Sequence, residues 1–152
     1  MHPQGGARPR RVLLVDDDSA LLAAVIDGLE LVGGFEVVAA SDGASGLEHF
    51  FVDQPDCVVV DVRMPGLNGY QFVRALRGDR ETAQTPIIVL SALVQDHEQV
   101  AGLLTGADAY LTKPVKIADL VRAVGRAIEL TAAERQRRAV NLADAQPEEW
   151  DA

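Results

Sequence analysis

A single cysteine, Cys57, stands among 152 residues, so no internal disulfide can form, and the usage fits a reducing compartment. Cys57 itself reads as a small buried apolar residue. Basic residues are scarce: Lys and Arg number 14 against 23 Asp and Glu, a formal charge of −9. A surface so short of cations argues against nucleic-acid binding by this chain. No apolar run approaches the ~20 residues of a membrane span, and no apolar stretch follows the basic start "MHPQGGARPR" to make a secretory signal. The expected location is cytoplasmic, with no membrane association. There is no internal repeat, no helix-turn-helix pattern, and no glycine-rich phosphate loop opening the first helical stretch.

What the chain does contain is a globular composition, 48% apolar, arranged as short apolar runs alternating with helical patterns. Runs at 11–15, 36–40, 56–60, 86–90 and 109–111 read as strands. Most are continuously apolar, as in parallel strands covered on both faces. Helical patterns fall near 19–32, 43–52, 68–78, 95–105 and from about 116. In the last, Ile117, Leu120, Val121, Val124 and Ile128 mark one buried face. Five βα units predict an α/β domain with right-handed crossovers. The expected organisation is a disordered segment at 1–10, a domain over 11–130, and a charged helical extension and tail over 131–152.

"RVLLVDDDSALLAAV" sets three aspartates against the end of the first strand. Their mutual repulsion calls for a compensating charge. Ligands of open parallel sheets bind beyond the carboxyl ends of the strands. Asp16 and Asp17 lie there after the first strand, and Asp61 after the third. If those strands are neighbours, three carboxylates share one pocket suited to a hard divalent cation such as Mg²⁺. Ser91 after the fourth strand adds a hydroxyl, and Lys113 after the fifth an ammonium. Carboxylates, hydroxyl and lysine together form a phosphate-handling set in which one carboxylate can be the nucleophile. Asp18, ahead of "SALLAAVI", reads instead as a helix cap.

The blocks "VLLVDDD", "DCVVVDVRMPGLNG", "PIIVLSA" and "GADAYLTKP", in that order, resemble the receiver domain of two-component response regulators over about residues 11–128. The resemblance implies a flavodoxin-like, three-layer α/β/α fold, with a five-stranded parallel sheet in order 2-1-3-4-5 flanked by five helices. It implies that Asp61 accepts a phosphoryl group from a sensor histidine kinase or phosphotransfer protein. Mg²⁺ would be held by Asp17, Asp61, the backbone carbonyl of Arg63 and, through water, Asp16. Ser91 would be the switch hydroxyl, Lys113 the phosphate-pairing lysine before a cis proline, Pro114, and Tyr110 the rotamer switch. The switched face would combine the 95–105 helix, the fifth strand and the last helix, and the resemblance admits a phosphorylation-dependent homodimer. Such a chain is not an enzyme beyond assisting its own phosphorylation and dephosphorylation.

Departures from the family pattern are few. Val115 stands where the family often has Phe. In fast receivers the side chains two residues after the acceptor and two after the switch hydroxyl orient the hydrolytic water. Here they are Arg63 and Leu93, which implies a long-lived phosphorylated state. Two other classes compete. A haloacid-dehalogenase-like phosphatase also forms an aspartyl phosphate, from a D-x-D motif on its first strand. Here the residue two after Asp61 is Arg63, so the general acid is missing, the acidic pair comes first in the chain, and no cap domain is expected. A non-phosphorylated pseudo-receiver would have lost the acidic pair, the acceptor or the lysine, and all are present. The cognate kinase and the output are not legible in the sequence.

Overall fold

In the computed structural model of the chain, the described residues are 8–92, 106–130, 133, 134 and 137. Five strands alternate with helices along them: β1 (Arg11–Val15), α1 (Ser19–Leu31), β2 (Glu36–Ala40), α2 (Gly43–Asp53), β3 (Cys57–Asp61), α3 (Gly69–Arg77), β4 (Ile87–Ser91), β5 (Ala109–Thr112) and α4 (Ile117–Glu129). All strand pairs are parallel, in the order β2-β1-β3-β4-β5. β1 therefore lies beside β3, the adjacency that a shared carboxylate pocket requires.

β3 and β4 are buried at every position because both sheet faces are covered. Successive side chains of a strand point to opposite faces, and the core divides accordingly. Leu13, Val15, Val58, Val60, Ile87 and Val89 pack with Phe50 of α2 and Phe72, Val73 and Leu76 of α3. On the other face Val12, Leu14, Cys57, Val59, Ile88 and Leu90 meet Val25 and Leu29 of α1 and Leu120, Val124 and Ala127 of α4. Cys57 is thus a buried core residue in the cluster between sheet, α1 and α4.

The helices start where short polar side chains can satisfy free backbone N–H groups. Asp18 caps α1, accepting from the amides of Ala20 at 3.1 Å and Leu21 at 3.2 Å. Asp42 caps α2 through the amide of Ser45 at 2.7 Å. Asn68 and Gln71 close a reciprocal capping box at α3.

Two expectations need correction. The flavodoxin-like sheet order stands, but four helices, not five, occur among the described residues. The fifth was expected at 95–105, which lies outside them. That stretch carries three large apolar residues, Val100, Leu103 and Leu104, around Gly102, a residue type unfavourable in helix interiors. β3 and β4 also run one residue further than their apolar runs, so Asp61 and Ser91 close their strands instead of following them. Residues 1–7 and most of 131–152 lie outside the described residues.

Candidate phosphate and metal site

The carboxyl ends of β1, β3, β4 and β5 bring the site together. Asp16 continues the ladder past β1, its amide donating to the Ala40 carbonyl at 3.1 Å, and is 1% exposed. Its Oδ1 accepts from the Asp18 amide at 3.0 Å, which fixes the carboxylate's rotation. Asp17 is exposed at the pocket mouth, and Asp61 is buried at the end of β3. One oxygen from each of Asp16, Asp17 and Asp61 lies within 4.8 Å of the others. Three hard oxygen donors at that spacing, two of them buried, match the donor set of a small divalent cation that keeps part of its water shell.

The compensating charge comes from Lys113. Its Nζ donates to Asp61 Oδ1 at 2.7 Å and to Asp16 Oδ2 at 3.0 Å. The Lys113 amide donates to the Ser91 carbonyl at 2.7 Å, extending β5 against β4. The Lys113–Pro114 peptide is cis. Burial acts to lower the lysine's pKa, but hydrogen bonds to Asp61 and Asp16 outweigh it and hold the ammonium above its ordinary value. Asp61 moves the other way from a paired carboxylate: burial, with the charges of Asp16 and Asp17, raises its pKa despite the bond to Lys113.

The remaining predicted residues fall as follows. Ser91 is buried at the end of β4, in register with Thr112. Tyr110, in the middle of β5, is half-buried and packs on the core cluster beneath α2 and α3. Arg63 is exposed in the loop after Asp61, and Val115 is half-buried against the cluster on the α4 face. Leu93 lies outside the described residues.

Sequence reasoning passed over Gly69. A Cβ there would stand 2.5 Å from the Asp61 carbonyl oxygen and 2.8 Å from Val62 Cα. Its amide donates to the Val62 carbonyl at 3.0 Å. Only a glycine lets the start of α3 approach the Asp61 backbone this closely. The preceding turn includes Gly66 at φ +75°, a left-handed conformation. The signal was the spacing of two glycines in "PGLNG", which reads as a turn until the position of α3 is known.

A doubly covered parallel sheet with an acidic, lysine-bridged pocket at its carboxyl edge defines a phosphate-handling α/β domain. The sequence model of the response regulator receiver domain matches residues 12–125, and the chain belongs to that family. It is 47% identical over 120 residues to the transcriptional regulatory protein PrrA of Mycobacterium tuberculosis strain H37Rv, an alignment covering 78% of this chain and 50% of PrrA. With the transcriptional regulatory protein CseB of Streptomyces coelicolor it shares 44% over 110 residues, 72% of this chain and 45% of CseB. The chain therefore spans about half the length of the curated relatives it matches. Among solved structures, a Francisella response regulator receiver domain superposes with a TM-score of 0.70 at 33% identity, covering 80% of this chain and 98% of that one. The receiver domain of the Pseudomonas aeruginosa sensor histidine kinase PA1611, described with magnesium coordinated in its active-site cleft, gives 0.72 at 28% identity over 81% and 100%. Family membership makes residues 12–125 a receiver domain of the two-component response-regulator type. No described helix is long and apolar enough to cross a membrane.

Proposed function

We propose that this chain is a Mg²⁺-dependent phosphoryl acceptor, with Asp61 taking the group from the phosphohistidine of a sensor histidine kinase or phosphotransfer protein. One observation carries the reading: Asp16, Asp17 and Asp61 gather at one sheet edge, and Lys113 bridges two of them. Every group that a pseudo-receiver would have lost is present. A divalent cation on Asp17, Asp61, the Arg63 carbonyl and, through water, Asp16 would neutralise charge on the acceptor and the incoming phosphoryl oxygens.

The chain's own groups supply the rest. An Asp61 carboxylate oxygen attacks phosphorus, and the phosphorus–nitrogen bond breaks with its electron pair staying on nitrogen. The histidine, its other ring nitrogen already protonated, departs as neutral imidazole. Lys113 transfers part of its pairing from Asp61 to a phosphoryl oxygen, offsetting charge where it accumulates. The Ser91 hydroxyl donates to another. Movement at Ser91 vacates space into which Tyr110 turns, and the surface of β5 and α4 repacks, a two-state element that phosphorylation biases. In the described structure that surface holds a groove lined by Tyr110, Leu111, Asp119, Arg122 and Arg126. It is the surface we assign to the output, with a phosphorylation-dependent homodimer as one form. The acidic balance of the chain supports a protein partner over nucleic acid.

Acetyl phosphate tests the assignment without a kinase. With Mg²⁺ the protein should gain one phosphoryl mass, located at Asp61 by peptide mass spectrometry. Label that persists in Asp61→Asn, or forms equally in excess chelator, contradicts it.

A further inference from the structure

At the opposite edge of the sheet lies a second charged cluster, which the phosphoryl chemistry does not touch. Arg77, the last residue of α3, turns its guanidinium into the space between three chain segments. Nε donates to the Gly106 carbonyl at 2.6 Å, and Nη1 to the carbonyls of Ala83 at 3.0 Å and Thr85 at 2.6 Å. Nη2 pairs with Asp108 Oδ2 at 3.4 Å. The Asp108 side chain is almost fully buried, and the same oxygen accepts from the Ile87 amide at 2.8 Å. The Asp108 amide returns a bond to the Ile87 carbonyl at 2.7 Å. A side-chain carboxylate thus takes the place of a backbone carbonyl at the first amide of β4, and the start of β5 is tied to the end of α3.

β5 has an unusual need of such a tie. Among the described residues it pairs only with β4, and none of its four side chains is fully buried. Strand register is weakly specified where no face is deeply buried. Yet β5 must deliver Lys113 to the acidic pocket with hydrogen-bond accuracy. Asp108 precedes the strand and Lys113 follows it, five residue steps apart, or about 16 Å along an extended chain. Polar ties therefore hold both ends of β5. One end carries the functional lysine, and the other carries the Arg77–Asp108 pair.

We infer that Arg77 is a positioning residue for Lys113: by clamping Asp108 and Gly106 it fixes the height and register of β5, and so sets where the ammonium meets Asp61 and Asp16. Lysine is a poor substitute for Arg77, because four acceptors in different directions call for a planar fork of donors. The inference rests on the proposed function for its consequence, but its geometry stands without it.

The test is a double-mutant cycle between the two ends of the strand, read by Mg²⁺-dependent binding of beryllofluoride, a phosphoryl mimic. Arg77→Met should weaken binding about five- to tenfold, a loss of geometry and not of a contact. In a Lys113→Ala background the same change should have no further effect, since the group it positions is gone. Equal losses in both backgrounds, or native binding by Arg77→Met, would overturn the inference. A merely structural Arg77 would lower the melting temperature and leave the cycle additive. Asp108→Asn keeps the shape and the bond from the Ile87 amide while removing the charge, and serves if Arg77→Met does not fold. The nitrogen NMR signal of the Lys113 ammonium supplies a readout independent of phosphoryl chemistry. It should move in Arg77→Met without metal or mimic, and an unmoved signal contradicts the positioning role. If the native protein itself binds no mimic, the proposed function fails, and the ammonium signal still decides the positioning role.

Discussion

Lys113 donates to both Asp16 and Asp61, so one cation stands against three carboxylates. Removing it strands two buried anions, and breaking a buried pair costs about 3 kcal/mol or more. Lys113→Ala should therefore unfold at lower denaturant in chelator and recover much of the loss with Mg²⁺. Asp61→Asn should act in the opposite direction. Burial and the neighbouring aspartates raise the folded-state pKa of Asp61 above the ordinary carboxylate value. Between the unfolded and folded values the native state binds more protons, so this group's contribution to stability falls as pH rises through the folded value. In chelator at pH 7, Asp61→Asn should melt a few degrees higher than the native protein, with the gain vanishing below about pH 4. Equal melting at both pH values would show that the carboxylate is not under repulsion. A second residue-scale expectation concerns lifetime. Arg63 offers no acceptor for a water proton, and Leu93 has no polar side-chain atom. One lost orienting contact is worth about tenfold to a hundredfold in rate. With Mg²⁺ present, phosphorylated Arg63→Asn/Leu93→Glu should lose phosphate at least several-fold faster than the native protein. Equal or slower loss would mean that these side chains are passive.

The elements place the site because strand ends and helix starts meet at one edge. α3 approaches Asp61 through Gly69, where an added Cβ would collide with backbone and not with a movable side chain. Gly69→Ala should cost about 1–3 kcal/mol in chemical denaturation, the range of overpacking, and slow labelling by acetyl phosphate. Gly125 in α4 is the control, since a Cβ there meets nothing within 4 Å. Gly125→Ala should add about 0.5–1 kcal/mol by helix propensity alone. Much of this layer was legible in the sequence. The apolar runs named all five strands, and Asp16, Asp17, Asp61, Ser91 and Lys113 stand out in the sequence at or just beyond the ends of those runs. The ends of β3 and β4 were misjudged by one residue, because periodicity stops at the last apolar side chain while the hydrogen-bond ladder continues through Asp61 and Ser91. Gly69 and the Arg77–Asp108 pair were missed for another reason. A close approach and a long-range ion pair depend on which segments fold against each other, and neither leaves a periodic trace. Asp18 was legible because capping is local.

At the scale of the whole molecule, the domain is a sheet with chemistry at one edge, a charged clamp at the other, and β5 running between them. In the proposed switch, filling the acidic pocket would draw Lys113 and then Ser91 toward the phosphoryl group, and the half-buried Tyr110 would change its packing against the sheet. The groove between β5 and α4 would lie at the end of that route, as the surface proposed for the output. Amide chemical shifts recorded with and without beryllofluoride in the presence of Mg²⁺ test this coupling most directly. The changes should begin at residues 16–17, 61–63 and 91 and continue through Tyr110 into 117–129, with Asp61→Asn abolishing all of them. Changes confined to the pocket, with β5 and α4 unmoved, would contradict the account.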